Sequence, residues 1–90
     1  MNIEIGMLAI SKSGHDKGSL YVIIKADEEY VYLVDGKLKT IDKPKKKNKK
    51  HIQIVNYKSE EIIMNINNGT LINETVKRCL KLYCCREQDA

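Results

Sequence analysis

Gly6-Met7-Leu8-Ala9-Ile10-Ser11-Lys12-Ser13-Gly14-His15-Asp16-Lys17-Gly18-Ser19-Leu20-Tyr21-Val22-Ile23-Ile24 contains two apolar runs separated by a polar corner. Residues 7–10 predict a first strand. Residues 11–18 hold the turn formers Ser13, Gly14, Asp16 and Gly18 and predict a loop. Residues 20–25 include the β-branched Val22, Ile23 and Ile24 and predict a second strand. Both of its faces are apolar, which places it centrally and covered on both sides.

Downstream, Asp27-Glu28-Glu29 reads as a polar turn and residues 30–34 as a third strand. Alternation sends Val31 and Leu33 to one face and Tyr30, Tyr32 and Val34 to the other. Asp35-Gly36 between strand-like runs predicts a two-residue type I′ hairpin, with residues 37–41 as the returning strand. Pro44 ends that strand. A basic run follows, and Ile52, Ile54 and Tyr57 give a short fifth strand. The character changes at Ser59, which precedes Glu60 and Glu61 and predicts a helix start, with Asn68-Gly69 as its stop. Asn73 is placed to cap a second helix running to about Tyr83 or Cys84, and Val76, Cys79, Leu80 and Tyr83 form its apolar stripe. The predicted architecture is mainly β. A five-stranded barrel spans residues 1–58, with a basic loop at 43–51, and two short helices at 59–90 pack on it as an appendage.

Ninety residues make one domain with one modest core, which weighs against a large enclosed active site. The five aromatic residues are all tyrosine, so Ile, Leu and Val must fill the interior. The net charge of +4 is unevenly spread. Residues 37–58 carry nine lysines and one acid, a charge of +8, while the rest of the chain carries −4. An acidic body bearing a concentrated basic segment predicts a polyanionic partner, either nucleic acid or an anionic membrane face.

Cys79, Cys84 and Cys85 are odd in number, two of them adjacent, and lack the spacing of a disulfide framework or a zinc site. Reduced thiols predict a cytoplasmic setting. No apolar run approaches the length of a membrane span, and the first residues lack the features of a signal peptide. His15 and His51 have no cysteine or carboxylate at ligand spacing. No nucleophile or paired carboxylate accompanies them, so neither a metal, a cofactor nor catalysis is expected.

The segment from Gly6 to Gly36 resembles a KOW motif: an apolar strand, a loop ending in Asp16-Lys17-Gly18, and a second apolar strand. Its continuation, Val31-Tyr32-Leu33-Val34-Asp35-Gly36, resembles the bacterial KOW-domain RNA-binding proteins related to the ribosomal large-subunit proteins of the fourteen-e class. Pro44-Lys45-Lys46-Lys47-Asn48-Lys49-Lys50-His51 and the helix beginning near Asn73 are similar to the same group, so the likeness covers roughly residues 6–83. Leu20 or Tyr21 stands where many KOW motifs carry a glycine, which suits this branch better than the NusG-type transcription factors. The resemblance implies an SH3-like barrel that binds RNA, ribosomal RNA or the ribosome in particular, in the setting of translation, and it implies no catalyst.

The loop chemistry points the same way. Gly14 and Gly18 allow a tight turn and close approach of the backbone, whose amides can donate to phosphate while Lys12, His15 and Lys17 add charge. Six lysines lie among the eight residues from Lys43 to Lys50, with no acid between them. Self-repulsion predicts that this run is a mobile loop when free. Docking Lys43, Lys45, Lys46, Lys47, Lys49, Lys50 and His51 on a phosphate backbone would release counterions, and Lys37 and Lys39 would extend the patch along the hairpin. Tyr30 and Tyr32 either stack on unpaired bases or pack beneath the helices. A competing expectation is a protein-interaction module, in which the acids at 27–29 and 60–61 face a basic ribosomal or transcription partner.

Overall fold

The computed structural model describes residues 3–88 of the chain. Its strands are β1 (Met7–Ser11), β2 (Leu20–Ala26), β3 (Tyr30–Val34), β4 (Lys45–Asn48) and β5 (Ile52–Lys58), followed by helices α1 (Glu60–Asn68) and α2 (Asn73–Gln88). The strands form one antiparallel sheet in the order β4-β3-β2-β1-β5. The outer ends of the two expected segments, residues 1–2 and 89–90, lie outside the described residues.

Covalent geometry forces this sheet to curl. Strands β4 and β5 lie at opposite edges, which in a flat sheet would stand at least about 19 Å apart. Only a 3-10 turn, Lys49–His51, joins them. Even fully extended, that link reaches about 14 Å. Hydrogen bonds hold the turn on both sides: the Lys49 amide donates to the Glu29 carbonyl at 2.9 Å, and the Lys12 amide to the His51 carbonyl at 2.8 Å.

Both faces of the curled sheet are apolar, because alternating residues of its strands are apolar on each side. Met7, Ala9, Tyr21, Ile23, Val31, Leu33 and Ile52 pack together on the inner face. Leu8, Val22 and Val34 pack outward against Ile62 of α1 and Val76 and Cys79 of α2. Strand β2 contributes to both clusters, as expected from its two apolar faces. Truncating a fully buried residue such as Leu8 or Ile23 to Ala costs about 2–5 kcal/mol.

Helix α1 follows its sequence signals. The Ser59 side chain accepts from the Ile62 amide, Glu60 and Glu61 occupy the first turn, and Gly69 closes the helix at φ 69°. Helix α2 extends past the expected end, to Gln88. Asn73 is its first residue, and its Oδ1 accepts from the Ile41 amide at 3.0 Å instead of capping the helix.

Three further expectations are overturned. Residues 37–41 form no strand, and Asp35-Gly36 makes no two-residue hairpin. The Asp35 carboxylate accepts from the amides of Lys37 and Lys39, while the Lys39 carbonyl accepts from the amides of Asp35 and Gly36. This wider loop docks on α2. A Cβ on Gly36 would lie 2.5 Å from the Asn73 carbonyl oxygen and 2.8 Å from Lys77 Cγ. The fourth strand comes instead from the lysine run, so the predicted basic loop at 43–51 is an ordered edge strand plus a 3-10 turn.

Candidate nucleic-acid interface

A strand made of Lys45-Lys46-Lys47-Asn48 needs a reason to form, because lysine is depleted in strands and like charges repel. Pairing with β3 supplies the backbone partners, with Lys45 opposite Leu33 and Lys47 opposite Val31. Leu33 and Val31 face the inner core, so Lys45 and Lys47 point the same way. There they meet Asp16.

Asp16 is the hub of the site. Its Oδ1 lies 3.0 Å from Lys47 Nζ and accepts the Ser11 hydroxyl at 2.9 Å. Its Oδ2 lies 3.1 Å from Lys45 Nζ and accepts the Tyr21 hydroxyl at 2.9 Å. The Lys47 ammonium also donates to the Ser13 carbonyl at 2.9 Å. Burial pushes the Asp16 carboxyl toward the neutral form, but Lys47, Lys45, Ser11 and Tyr21 together outweigh it and hold the group well below the usual carboxylate range. Tyr21 shifts the other way. Burial first, and then the Asp16 anion it bonds to, push its hydroxyl up to about 12.

The 11–19 loop is consequently more closed than its glycines suggest. Gly14 and Gly18 both take positive φ. The amides of Lys17, Gly18 and Ser19 are spent on the carbonyls of Gly14, Ser11 and Asp16. The expectation that this end of the loop offers its amides to phosphate is therefore corrected. Its contribution is shape and side-chain charge.

The predicted basic residues divide into three groups. Lys45 and Lys47 are consumed by Asp16 and fasten the β1–β2 loop to β4. Lys12, Lys17, Lys43, Lys46, Lys49 and Lys50 have no ion-pair partner among the described residues. All are exposed except Lys49, which is partly covered, and His15 and His51 are exposed beside them in sequence. Lys46 and Lys49 lie near enough to Asp27 to help hold its carboxylate ionised, after its hydrogen bonds from the Tyr30 and Glu29 amides. Lys37 and Lys39 do not extend a hairpin patch, because there is no hairpin. Lys37 instead lines a groove of about 640 Å³ together with Asp35, Leu20, Lys77, Leu80, Lys81 and Cys84.

Sequence reasoning missed Asp16 as an organiser and Lys77 and Lys81 as part of the basic surface. The i, i+4 spacing of those two lysines on α2 was the available signal. No described group of three or more His, Cys, Asp or Glu is placed to hold a metal ion, and no described helix is long and apolar enough to cross a membrane. No protein-family model matches the chain, and a search of curated proteins finds no match either.

Proposed function

We propose that this protein binds RNA without catalysing a reaction on it, as a KOW-type, SH3-like barrel acting on ribosomal RNA or at the ribosome, in the cytoplasm. One observation carries the reading. Asp16 ties the glycine-cornered β1–β2 loop, which carries Lys12 and Lys17, to the lysine strand β4; Lys46 is left uncommitted on the other face of that strand, and Lys49 and Lys50 follow in the 3-10 turn whose His51 carbonyl accepts the Lys12 amide. A backbone already held by hydrogen bonds loses less freedom on docking than a mobile loop would, and each phosphate these lysines neutralise releases condensed counterions. The nearly buried Asp16 carboxylate is locked between two lysines, an arrangement suited to holding structure and not to moving protons. The strong curl of the sheet and its strand order are compatible with an SH3-like barrel.

The test is filter binding of structured RNA across a salt series. Affinity should fall steeply between low and physiological salt. Salt-independent binding, or none in dilute buffer, would remove the proposal. Capture of a protein partner that survives nuclease treatment would favour a protein-interaction module instead.

A further inference from the structure

On the outer face, α1 and α2 cover Leu8, Val22 and Val34 but leave the β3–β4 edge bare. Tyr30 and Tyr32 lie there, half-buried, and belong to neither apolar cluster. The alternative that placed them beneath the helices is excluded. Each ring carries a cation: Lys46 Nζ is 4.4 Å from the Tyr30 centroid, and Lys25 Nζ is 5.3 Å from that of Tyr32. Neither lysine has an ion-pair partner among the described residues.

Resting on the RNA-binding reading above, we propose that this face is a stacking platform for two unpaired nucleotides of RNA. Residues two apart on a strand are separated by about 7 Å. That is roughly twice the ~3.4 Å rise of stacked bases along a strand. Two bases seated on the two rings are therefore unstacked from each other, which a duplex cannot supply. Its bases are faced by their neighbours, whereas loops and single strands can splay theirs onto aromatic rings. Lys25 and Lys46 have flexible four-carbon stems. They swing from the ring faces to the flanking phosphates as the bases enter, so the same cations cover the platform when empty and neutralise the ligand when filled. The acids of the 27–29 turn bound the platform beside Tyr30. Asp27 Oδ1 is occupied there by the amides of Glu29 and Tyr30, and the exposed Glu28 and Glu29 steer the phosphates away from that end.

The chain has no tryptophan, and Tyr30 and Tyr32 are two of its five tyrosines, so the part of the tyrosine emission that depends on these two reports the platform. The experiment titrates the whole protein with an unstructured oligouridylate and with a blunt RNA duplex of equal length. Stacking predicts that the single strand quenches emission and the duplex does not. Tyr30→Phe with Tyr32→Phe should abolish the quench while keeping single-strand affinity within about two-fold, because phenylalanine stacks as well. Tyr30→Leu with Tyr32→Leu should weaken the single strand at least ten-fold and the duplex less than two-fold. Single-strand binding without quenching, or equal losses for both RNAs in a leucine variant that melts like the phenylalanine one, would overturn the platform while leaving RNA binding intact. Failure to bind either RNA would overturn both.

Discussion

The Lys47 ammonium lies 3.0 Å from Asp16 Oδ1, across a sequence separation of 31 residues. Lys47 and Asp16 are both nearly buried, with side chains 10% and 12% exposed. This contact joins the first loop of the protein to its edge strand. Removing the anion leaves the Lys47 ammonium without its charge partner, and breaking one side of a buried pair is costly. Asp16→Asn should lower unfolding stability by about 3 kcal/mol, measured by urea denaturation at neutral pH.

The pH dependence of that loss has a definite sign. Asp16 is held below its ordinary value in the folded protein, so its contribution is fully present above the unfolded pKa of about 3.9. It is lost as pH falls from there through the folded value, because the unfolded chain takes up the proton first. The stability gap between wild type and Asp16→Asn should therefore stay constant from pH 7 to about 5 and narrow below about 4. A gap that widens on acidification would contradict the assignment.

Tyr21 gives a second titration. Its hydroxyl is pushed up to about 12, so the folded protein keeps this proton after the unfolded chain has lost it near pH 10. Stability should decline as pH rises from about 10. In an ultraviolet absorbance titration Tyr21 should ionise after an ordinary tyrosine does. Asp16→Asn should bring it back part of the way only, because burial is the larger cause.

The lysines should separate into two classes. Lys46→Ala, Lys49→Ala and Lys50→Ala combined should leave the melting temperature nearly unchanged. They should reduce the magnitude of the log–log salt slope of RNA affinity by about 2, at roughly 0.7 per lost phosphate contact on a single strand. Lys47→Ala should instead lower the melting temperature, because its ammonium bonds both Asp16 and the Ser13 carbonyl.

Gly36 has φ 80° and abuts the start of α2. Gly36→Ala adds both backbone strain and a clash with the Asn73 carbonyl, so it should cost about 2–3 kcal/mol in a denaturant melt. Gly18→Ala meets open space at φ 90° and should cost only the strain, about 1 kcal/mol.

Much of the fold was legible in short-range signals. Strands β1, β2, β3 and β5 carry apolar or β-branched residues with readable alternation, and α1 carries its own cap and stop. Strand β4 was not legible. Its residues are three lysines and an asparagine, so both faces are polar and leave no period-2 alternation of apolar and polar residues. What distinguishes Lys45 and Lys47 from Lys46 is Asp16, far away in sequence and read locally as a turn former. The Asp35-Gly36 pair misled for a related reason. Its turn chemistry is real, but Asn73 and Lys77 in α2 decide the path of the chain after it. For the candidate site, sequence gave the residue types and their rough neighbourhood. It could not say which cations are already neutralised within the molecule.

A sheet edge is ordinarily a template on which further chains can polymerise, and β4 offers such an edge. Two copies meeting there would bring together the Lys46 ammonium groups that Asp16 does not neutralise, so the strand that fastens the loop also works against self-pairing. Neutralising those side chains, by acetylation for instance, would weaken that mutual repulsion and expose the protein to self-association.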